Sequence, residues 1–345
     1  MTIMATDLRE ENRRRLRDDL RLRRVAPRSL PATVRLETTT ECRLRCLHCF
    51  RQHDESGEIM DPALYDRLAR ELFPHVEVVE FGALGEPLHD PHLRQRLELI
   101  DPVAGPRLDL TTSGDGLLAW VDLLVTRARR VVVSIETLDE DLYPHVRKGA
   151  RLHDVMRGVE AFRCAADSLG GTTRPQLVFR ITLLRGNHAI LPLLVARISD
   201  AGADAIELAH GVALEGAHED LQITDQKMDL GVALQRGVLQ GRLSGVPVHY
   251  PRLAPQRPWS ADANRFRADG YLPEDAAWTR ATVQPDGTVS LCCPGDRLDG
   301  VPSTPLGPGG FRAAWTSEPF QAVRRAGRPV PACGFCSHAE DPRHG

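Results

Sequence analysis

Over the first two thirds of this 345-residue chain, two patterns of apolar residues alternate, one typical of strands and one typical of helices. Short runs rich in β-branched and aromatic residues predict strands at residues 33–37, 76–81, 107–111, 131–135, 176–183 and 205–209. Between them, apolar residues recur every three or four positions, which predicts helices at residues 64–72, 93–97, 117–124, 155–166 and 190–199. Strands that alternate with helices predict an α/β fold in which helices cover a parallel sheet.

Two of the predicted helices carry a start signal, an Asp followed by a Pro, at residues 61–62 and 90–91. The Asp side chain can accept hydrogen bonds from the first backbone amides, and Pro tolerates the first helical position. A later helix is predicted at residues 225–240 and a strand at 246–250. Pro and Arg accumulate over residues 251–258, which favours a domain boundary there.

Residues 1–33 are rich in arginine, with nine Arg against five acidic residues. A transit peptide would be poor in acids, so this segment is not typical of one. Leu16 and Leu20 fall on one helical face, but the apolar stripe is thin. We expect an N-terminal helix that is solvated on one side and packs on the α/β body.

Composition excludes several classes of protein. No apolar run approaches the length of a membrane span, and the net charge of −3 gives no case for nucleic acid as a partner. The chain has eight cysteines and no recognisable secretory leader. This usage is typical of a reducing, cytoplasmic setting in which cysteines bind metal and do not form disulfides. Cys164 falls among apolar helical positions, where we expect a core residue.

A cysteine triplet follows the first predicted strand. Cys42, Cys46 and Cys49 have the spacing C-x3-C-x2-C. Thiolates this close in sequence fold around one metal centre more easily than they pair with each other. A [4Fe–4S] cluster has four irons, so three protein ligands leave one iron open. The alternative is a zinc knot that uses His48 or a distant cysteine as the fourth ligand.

The triplet and its spacing resemble the radical SAM superfamily, in which an aromatic residue or a His often stands at the position of His48. The resemblance implies a partial (β/α)6 TIM-like barrel whose strand ends hold the cluster and S-adenosylmethionine (SAM). In that family SAM binds the open iron through its amino and carboxylate groups. One electron, from a flavodoxin- or ferredoxin-type donor, then releases a 5′-deoxyadenosyl radical that abstracts hydrogen from the substrate.

Two further strand ends match motifs of that family. Gly85-Glu86-Pro87 resembles the GEP motif, which holds the amino group of SAM, and this assigns all three residues to cofactor binding. Ser134, with Arg147 further on, is similar to the family's S-x-D … R-x-G arrangement. By that resemblance both residues reach SAM, since a guanidinium is a good carboxylate clamp. The alternative for Arg147 is an exposed cation at a helix end.

Candidates for acting on the substrate are less specific. Arg180 lies inside an otherwise apolar strand, where a buried charge must find a partner such as SAM or a polar substrate. It could instead point outward and pair with a surface helix. Glu136, Glu207 and His210 lie at strand ends as candidate acids or bases, and the residues alone do not rank them. Arg180 and Glu136, together with Cys293, are our candidate catalytic residues.

The C-terminal part carries a second cysteine set. Residues 281–291 predict a β-hairpin around a Pro-Asp-Gly turn, and it ends at Cys292 and Cys293. Further on, Cys333 and Cys336 have C-x2-C spacing. The order and spacing of the hairpin and these cysteines resemble the SPASM module and its shorter "twitch" form, which bind auxiliary iron–sulfur clusters.

Relatives with this module have further cysteines, so this chain has ligands for at most one auxiliary [4Fe–4S] cluster. The expected ligands are Cys292, Cys333 and Cys336. The fourth could be Cys293, another group or the substrate, and Cys293 could alternatively be a free thiol that donates hydrogen. Four cysteines would also make a zinc site.

These segments predict an N-terminal leader at residues 1–33, a barrel at 34–258 and an auxiliary module at 259–345. The resemblance extends to the radical SAM dehydrogenases of aminoglycoside antibiotic biosynthesis. It implies an oxidoreductase that converts a secondary alcohol of a sugar, aminoglycoside or cyclitol to a ketone, with the auxiliary cluster as electron acceptor. Alternatives are an epimerase, a peptide-modifying maturase, against which the short leader counts, and a non-catalytic metal protein.

Overall fold

The computed structural model describes residues 2–49, 51, 57–82, 84–170, 174–210, 227–249, 275–291 and 302–326. The described residues divide into two compact units that are interleaved along the chain. The first unit comprises parts of Met1–Glu41, Gly57–Leu110 and Phe266–Cys336. The second comprises parts of Cys42–Ser56 and Thr111–Arg265.

Strands and helices are numbered in chain order. The strands are β1 (Thr33–Leu36), β2 (Arg45–Cys46), β3 (Val78–Phe81), β4 (Arg107–Thr112), β5 (Ala128–Ser134), β6 (Arg147–Lys148), β7 (Gln176–Leu183), β8 (Ala205–His210), β9 (Val248–His249), β10 (Arg280–Val283), β11 (Thr288–Ser290) and β12 (Ser303–Pro305). The α-helices are α1 (Thr2–Arg21), α2 (Pro62–Leu72), α3 (Leu93–Glu98), α4 (Val121–Arg127), α5 (Tyr143–Val146), α6 (Leu152–Leu169), α7 (Leu191–Asp200), α8 (Lys227–Ser244), α9 (Ala276–Thr279), α10 (Gly310–Trp315) and α11 (Glu318–Ala326). Short 3-10 helices span Pro87–His89, Leu117–Trp120 and His188–Ile190.

In the first unit, β1 is flanked by parallel strands on both sides. Leu36 is in register with Phe81 of β3 and with Val283 of β10. β4 continues the parallel order beyond β3, and β11 and β12 extend the sheet in antiparallel pairs beyond β10. Alternate residues of β1 and β3, such as Val34 and Val79, are fully buried. The sheet therefore includes a strand from the C-terminal part of the chain.

Helix α2 begins where the Asp-Pro signal predicts. The Asp61 carboxylate accepts hydrogen bonds from the amides of Ala63 and Leu64 at 2.8 and 3.1 Å. Helix α3 begins at Leu93, two to three residues after its Asp-Pro signal. There the Asp90 carboxylate accepts a bond from the His92 amide at 2.9 Å. Both aspartates therefore satisfy backbone donors that a helix start leaves without an internal partner.

Helix α1 packs on the first unit mainly through polar side chains. Asn12 Nδ2 donates to the carbonyl of Leu30 at 3.1 Å, and its Oδ1 accepts from the Leu30 amide at 2.8 Å. Asp19 Oδ2 accepts from the amide and hydroxyl of Ser29, both at 2.8 Å. Leu16 is buried between these polar contacts. The predicted helix is confirmed. Hydrogen bonds make much of its contact with the rest of the first unit, where a wider apolar stripe would otherwise be needed.

The C-terminal helices form a small aromatic cluster within the first unit. The indole of Trp315 stacks on Phe311 with ring centroids 6.1 Å apart. The guanidinium carbon of Arg324 lies 4.2 Å from the Trp315 ring centre, and burial lowers the pKa of Arg324 to about 9. Trp315 Nε1 donates to the carbonyl of Ser29, and Trp278 Nε1 donates to that of Arg24. The cluster is thereby bound to the segment that follows α1.

The second unit contains a parallel sheet with the order β5-β7-β8-β9 and a separate antiparallel pair, β2-β6. Apolar residues of β5 and β7 are fully buried, among them Val133, Phe179 and Ile181. The predicted α/β class with a C-terminal hairpin-and-helix module is confirmed. The expectation for Cys164 is wrong. Its side chain is exposed, because it lies on α6 between the buried Phe162 and Ala166 and faces the other side.

Candidate functional site

The cysteine loop is held in the second unit by a short antiparallel pairing. Cys46 of β2 lies opposite Arg147 of β6. The amide of Leu47 donates to the carbonyl of Val146 at 2.9 Å, and the amide of Cys49 donates back to the carbonyl of Cys46 at 3.1 Å. The backbone around Cys46 is therefore fixed both by a tight turn and by β6.

The three thiols lie close enough to affect one another. The pKa of Cys46 is raised to about 12, mainly by burial and also by the charges of Glu136, Cys49 and Cys42, against the lowering effect of Arg147. Binding to a metal is what stabilises the thiolate form of such a group. Within the described residues, no three Cys, His, Asp or Glu side chains surround a point where a single metal ion would sit. A [4Fe–4S] cluster takes one thiolate at each of three separate irons, and the three cysteines of this loop fit that donor set.

A buried ion pair lies beside this loop. Arg147 Nε donates to Glu136 Oε2 at 2.6 Å, and Nη2 donates to Oε1 at 2.9 Å. Glu136 is 1% exposed and Arg147 is 5% exposed. His48 Nε2 lies 3.5 Å from Glu136 Oε1. Burial alone would raise the pKa of Glu136, but Arg147 and His48, with a hydrogen bond from Thr182, outweigh burial and lower it. The pair is therefore ionised.

Asn187 supports this pair and was not among the residues that the sequence indicated. Its Nδ2 donates to the carbonyls of Glu136 and Thr182 at 3.2 and 2.8 Å, and its Oδ1 accepts from the Leu184 amide at 2.9 Å. It therefore joins the ends of β5 and β7. The available signal was an Asn directly after a Gly at the end of a strand, where such side chains satisfy backbone groups.

In the first unit, the Gly85-Glu86-Pro87 turn lies tightly against the segment that follows β1. A Cβ atom on Gly85 would lie 2.1 Å from the carbonyl oxygen of Thr39. The Glu86 amide donates to the carbonyl of Glu41 at 2.8 Å. Only glycine allows this backbone approach, because any side chain would collide with a carbonyl that cannot rotate away.

The Glu86 side chain caps the turn that it begins. Its Oε1 accepts from the Leu88 amide at 3.1 Å, at the start of the 3-10 helix Pro87–His89. Pro87 takes the first position of that helix, which needs no amide donor. Glu86 and Pro87 are buried. These two residues thus give the turn its shape.

Glu37 is a second residue that the sequence analysis did not single out. It directly follows β1 and is 1% exposed. Its Oε1 accepts from the amides of Leu84 and Gly85 at 2.8 and 3.0 Å. The sequence signal was an acidic residue immediately after an apolar strand, where a buried carboxylate requires donors.

Charged side chains occupy one face of the second unit's sheet. Arg180 donates to Glu207 Oε2 from Nε and Nη2 at 3.1 and 2.8 Å, and Arg130 pairs with Oε1 of the same carboxylate. Ser134 is in register with Arg180 on the neighbouring strand. Burial would raise the pKa of Glu207, but Arg180 and Arg130 outweigh it and lower the pKa. Arg180 therefore pairs with a strand residue, and we call Arg130, Arg180 and Glu207 the arginine–glutamate cluster.

Several predicted residues lie outside the described part of the chain. The four C-terminal cysteines, Cys292, Cys293, Cys333 and Cys336, are among them. The hairpin that precedes them is described, with Gly287 at φ 87° in its turn. The backbone of His210 is described as the last residue of β8.

Comparison with known families now defines the class of protein. The family model described as the Radical SAM superfamily matches residues 36–186. A second model, SPASM, described as an iron–sulfur cluster-binding domain, matches residues 275–337. Residues 36–186 therefore carry a Radical SAM domain, and residues 275–337 carry a SPASM domain. The cofactors are therefore a [4Fe–4S] cluster and SAM in the first domain and auxiliary iron–sulfur in the second.

Curated relatives match over part of their length. The chain is 26% identical over 203 residues to the tungsten-containing aldehyde ferredoxin oxidoreductase cofactor-modifying protein of Pyrococcus furiosus, covering 56% of each chain. It is 30% identical over 149 residues to GTP 3′,8-cyclase of Paracoccus denitrificans, covering 41% of this chain and 43% of the relative. The chain thus spans about half the length of these curated relatives.

Solved structures show the same fold. Streptococcus suis SuiB bound to its precursor peptide SuiA matches with a TM-score of 0.66 at 15% identity, covering 95% of this chain and 75% of SuiB. Native anSMEcpe with bound AdoMet and the Kp18Cys peptide matches with a TM-score of 0.64 at 14% identity, covering 86% and 83%. Among the helices of the described residues, none has the length and hydropathy needed to cross a membrane.

Proposed function

We propose that this protein is a radical SAM oxidoreductase that oxidises a secondary alcohol of a small polar substrate to a ketone. The substrate class is a sugar, aminoglycoside or cyclitol of antibiotic biosynthesis. The bound cofactors supply a 5′-deoxyadenosyl radical and, in the auxiliary cluster, an acceptor for one electron. A flavodoxin- or ferredoxin-type protein in the cytoplasm supplies the first electron.

The arginine–glutamate cluster is the observation that carries this proposal. Arg180 and Glu207 are each about a quarter exposed, at 27% and 23% of the side chain. A charged strand face that remains accessible suits a ligand with hydroxyl or amino groups, because each polar group of the ligand can replace a hydrogen bond to water. An apolar substrate would displace water from these charged groups and offer no hydrogen bonds in exchange.

The reaction balances with the groups named. The carbinol carbon would lose one hydrogen atom to the radical that bound SAM supplies, the hydroxyl would lose a proton, and the auxiliary cluster would accept the remaining electron. In this proposal Arg180 orients the substrate hydroxyl. Glu136, held ionised by Arg147, gives the strand ends a fixed negative charge.

Ser134, Arg147, His48 and the Gly85-Glu86-Pro87 turn bind SAM. The cluster ligands are Cys42, Cys46 and Cys49 at one site and Cys292, Cys333 and Cys336 at the other.

Two other outcomes use the same first step. In an epimerase, Cys293 would return a hydrogen atom to the opposite face of the carbon. In a peptide-modifying maturase, the substrate would be a peptide, as in the peptide complexes of SuiB and anSMEcpe. The alcohol dehydrogenase is favoured by the charged strand face, which offers many hydrogen-bonding groups to a polyhydroxylated ring.

The test uses reconstituted full-length protein, reductant and SAM with three substrate sets: cyclitols and aminosugars, peptides, and GTP. Oxidation predicts a product two mass units lighter, formed with one 5′-deoxyadenosine per ketone. Epimerisation would leave the mass unchanged in H2O and add one deuterium in D2O. Activity on peptides or GTP alone would show the proposed substrate class to be wrong.

A matched pair of variants tests the role of the charged face. Arg180→Met should raise the KM for the cyclitol by about tenfold or more, since a hydrogen bond to a charged group contributes about 1.5–3 kcal/mol. Arg163→Met removes two other ion pairs of the second unit, with Asp167 at 2.7 Å and with Asp204 at 3.0 Å, and should leave KM unchanged. Equal effects of the two variants would show that general destabilisation is the cause.

A further inference from the structure

One buried side chain fixes the turn that is expected to hold SAM. Glu37 is buried directly behind the Gly85-Glu86-Pro87 turn. Its Oε1 accepts both successive amides at the start of the turn, from Leu84 at 2.8 Å and from Gly85 at 3.0 Å. Two backbone amides that share one carboxylate oxygen cannot shift independently, so the position of this oxygen sets the position of the turn. Bonds to an ionised acceptor are also stronger than those between neutral groups.

The backbone of Glu37 is held from the opposite direction. Its amide donates to the carbonyl of Val283 at 2.9 Å. This bond continues the parallel pairing of β1 with β10 one residue beyond Leu36, which is in register with Val283. Glu37 is therefore bound through its main chain to the strand that opens the C-terminal hairpin and through its side chain to the turn.

Two contacts hold the other side of the turn, so Glu37 is needed to fix its beginning. The Cα of Gly85 lies so close to Thr39 that an added Cβ would be 2.1 Å from the Thr39 carbonyl oxygen. The Glu86 amide is bound to the carbonyl of Glu41 at 2.8 Å. Residues 37–41 thus bind the turn at two places. Glu37 accepts from the amides of Leu84 and Gly85, and Glu41 accepts from the amide of Glu86. Losing the bonds at Glu37 would release one end and let the Gly85 amide rotate.

We propose that Glu37 is a positioning residue for SAM binding, which acts by fixing the amides of Leu84 and Gly85 in the Gly85-Glu86-Pro87 turn. The residue is 1% exposed, so it acts through the turn. The proposal holds whatever the substrate is, so it goes beyond the oxidoreductase function. It also gives the C-terminal hairpin a part in SAM binding, through the Val283 carbonyl, that is separate from carrying a cluster.

The experiment compares full-length Glu37→Gln and Glu37→Ala with the wild-type protein, each reconstituted with iron and sulfide. The dissociation constant for SAM is measured by equilibrium dialysis. Glu37→Ala should bind SAM about tenfold more weakly, because two bonds to a charged acceptor are lost. Glu37→Gln keeps an acceptor oxygen, so its loss should be smaller. Iron bound per chain should stay the same in both variants.

A spectroscopic readout separates positioning from folding. SAM changes the electron paramagnetic resonance spectrum of the reduced cluster when it binds to an iron, so titration of this change reports binding at the site itself. In Glu37→Ala the change should require about tenfold more SAM, in step with the dissociation constant. A spectrum that responds to SAM as in the wild type would overturn the proposal.

Glu71→Gln is the matched control. The Glu71 carboxylate also accepts two successive backbone amides in the first unit, from Phe311 at 2.9 Å and Arg312 at 3.0 Å, at the start of α10. It should lower the denaturation midpoint to a similar extent as Glu37→Gln but leave SAM affinity unchanged. If Glu71→Gln weakens SAM binding equally, Glu37 has only a structural role. If Glu37→Ala does not fold, wild-type affinity in Glu37→Gln still overturns the proposal.

Discussion

The guanidinium of Arg147 and the carboxylate of Glu136 form two parallel hydrogen bonds, at 2.6 and 2.9 Å, with both side chains buried. Arg147 stands opposite Cys46 in the β2–β6 pair. Glu136 follows β5, and Asn187 binds its carbonyl. The ion pair thus connects the middle cysteine of the loop to the sheet of the second unit, and it therefore stabilises the cysteine loop.

Breaking this pair from either side should be costly. Glu136→Gln or Arg147→Met leaves a buried charge without its partner, for which we expect a loss of about 3–5 kcal/mol in the free energy of unfolding. The double variant should lose clearly less than the sum of the two single variants. Anaerobic urea denaturation of the reconstituted proteins measures all three. Arg151→Met is the control, since the Arg151–Asp154 pair at 2.7 Å is exposed and should contribute less than about 1 kcal/mol.

A methyl group on Gly85 should displace the turn that contains it. Gly85→Ala places a Cβ against the Thr39 carbonyl oxygen, and neither backbone segment can yield without losing hydrogen bonds. We expect SAM affinity to fall by at least tenfold, as measured by equilibrium dialysis, and the protein to lose about 1–3 kcal/mol of stability.

Gly231→Ala provides the comparison for that change. Gly231 lies inside α8 with no atom within 4 Å of an added Cβ. Alanine there should stabilise the helix by about 0.5–1 kcal/mol and leave SAM binding unchanged. Unaltered SAM affinity in Gly85→Ala would contradict the close approach seen at Thr39.

Iron content should distinguish the two cluster sites. With Cys42, Cys46 and Cys49 all changed to Ala, about four irons per chain should remain after anaerobic reconstitution, because the SPASM domain holds its own cluster. Iron and sulfide analysis measures this directly. If iron falls to near zero, the auxiliary cluster cannot be the electron acceptor. Cys293→Ala would then be tested for loss of an epimerase activity.

Stability should fall on mild acidification because of His75. Burial lowers the pKa of His75 from its ordinary 6.5, and the positive charges of Arg312 and Arg15 lower it further. The unfolded chain then binds a proton more readily than the folded one, so the stabilisation is present above pH 6.5 and is lost as pH falls through the lowered pKa. His75→Gln should make the unfolding free energy flatter below pH 6.5.

Denaturation midpoints between pH 7.5 and 5.5 test this expectation. His153→Gln, a change at an exposed histidine of α6, should leave the pH dependence as it is in the wild type. A wild-type pH profile in His75→Gln would show that other groups cause the acid sensitivity.

The order of strands and helices could be predicted because alternation between the two spacings of apolar residues persists over six units. The cysteine loop could be predicted because its chemistry is local: three thiols within eight residues need no knowledge of the fold. Glu37 and Asn187 could not be found in this way. Glu37 binds the amides of Leu84 and Gly85, and Asn187 binds the carbonyl of Glu136, all far away in sequence. The local signals at these two residues do not specify such distant partners.

The polar contacts of α1 and the exposure of Cys164 also differ from what the apolar pattern predicts. The polar anchors of α1, Asn12 and Asp19, bind backbone groups of residues 28–30, so the helix needs fewer apolar residues than its pattern would require alone. Cys164 was expected in the core because its neighbours are apolar. A shift of two positions from Phe162 turns a side chain to the far side of the helix, and short apolar runs do not resolve that shift.

The pairing of β1 with β10 also bears on the synthesis of the chain. One neighbour of β1, β3, emerges from the ribosome shortly after it, whereas the other, β10, begins only at Arg280. Until then β1 presents an open edge that can pair with other chains. The first unit thus depends on contacts between its two sequence extremes, which slow folding. Chaperones that shield nascent strands would be most useful to this protein before residue 280 is exposed.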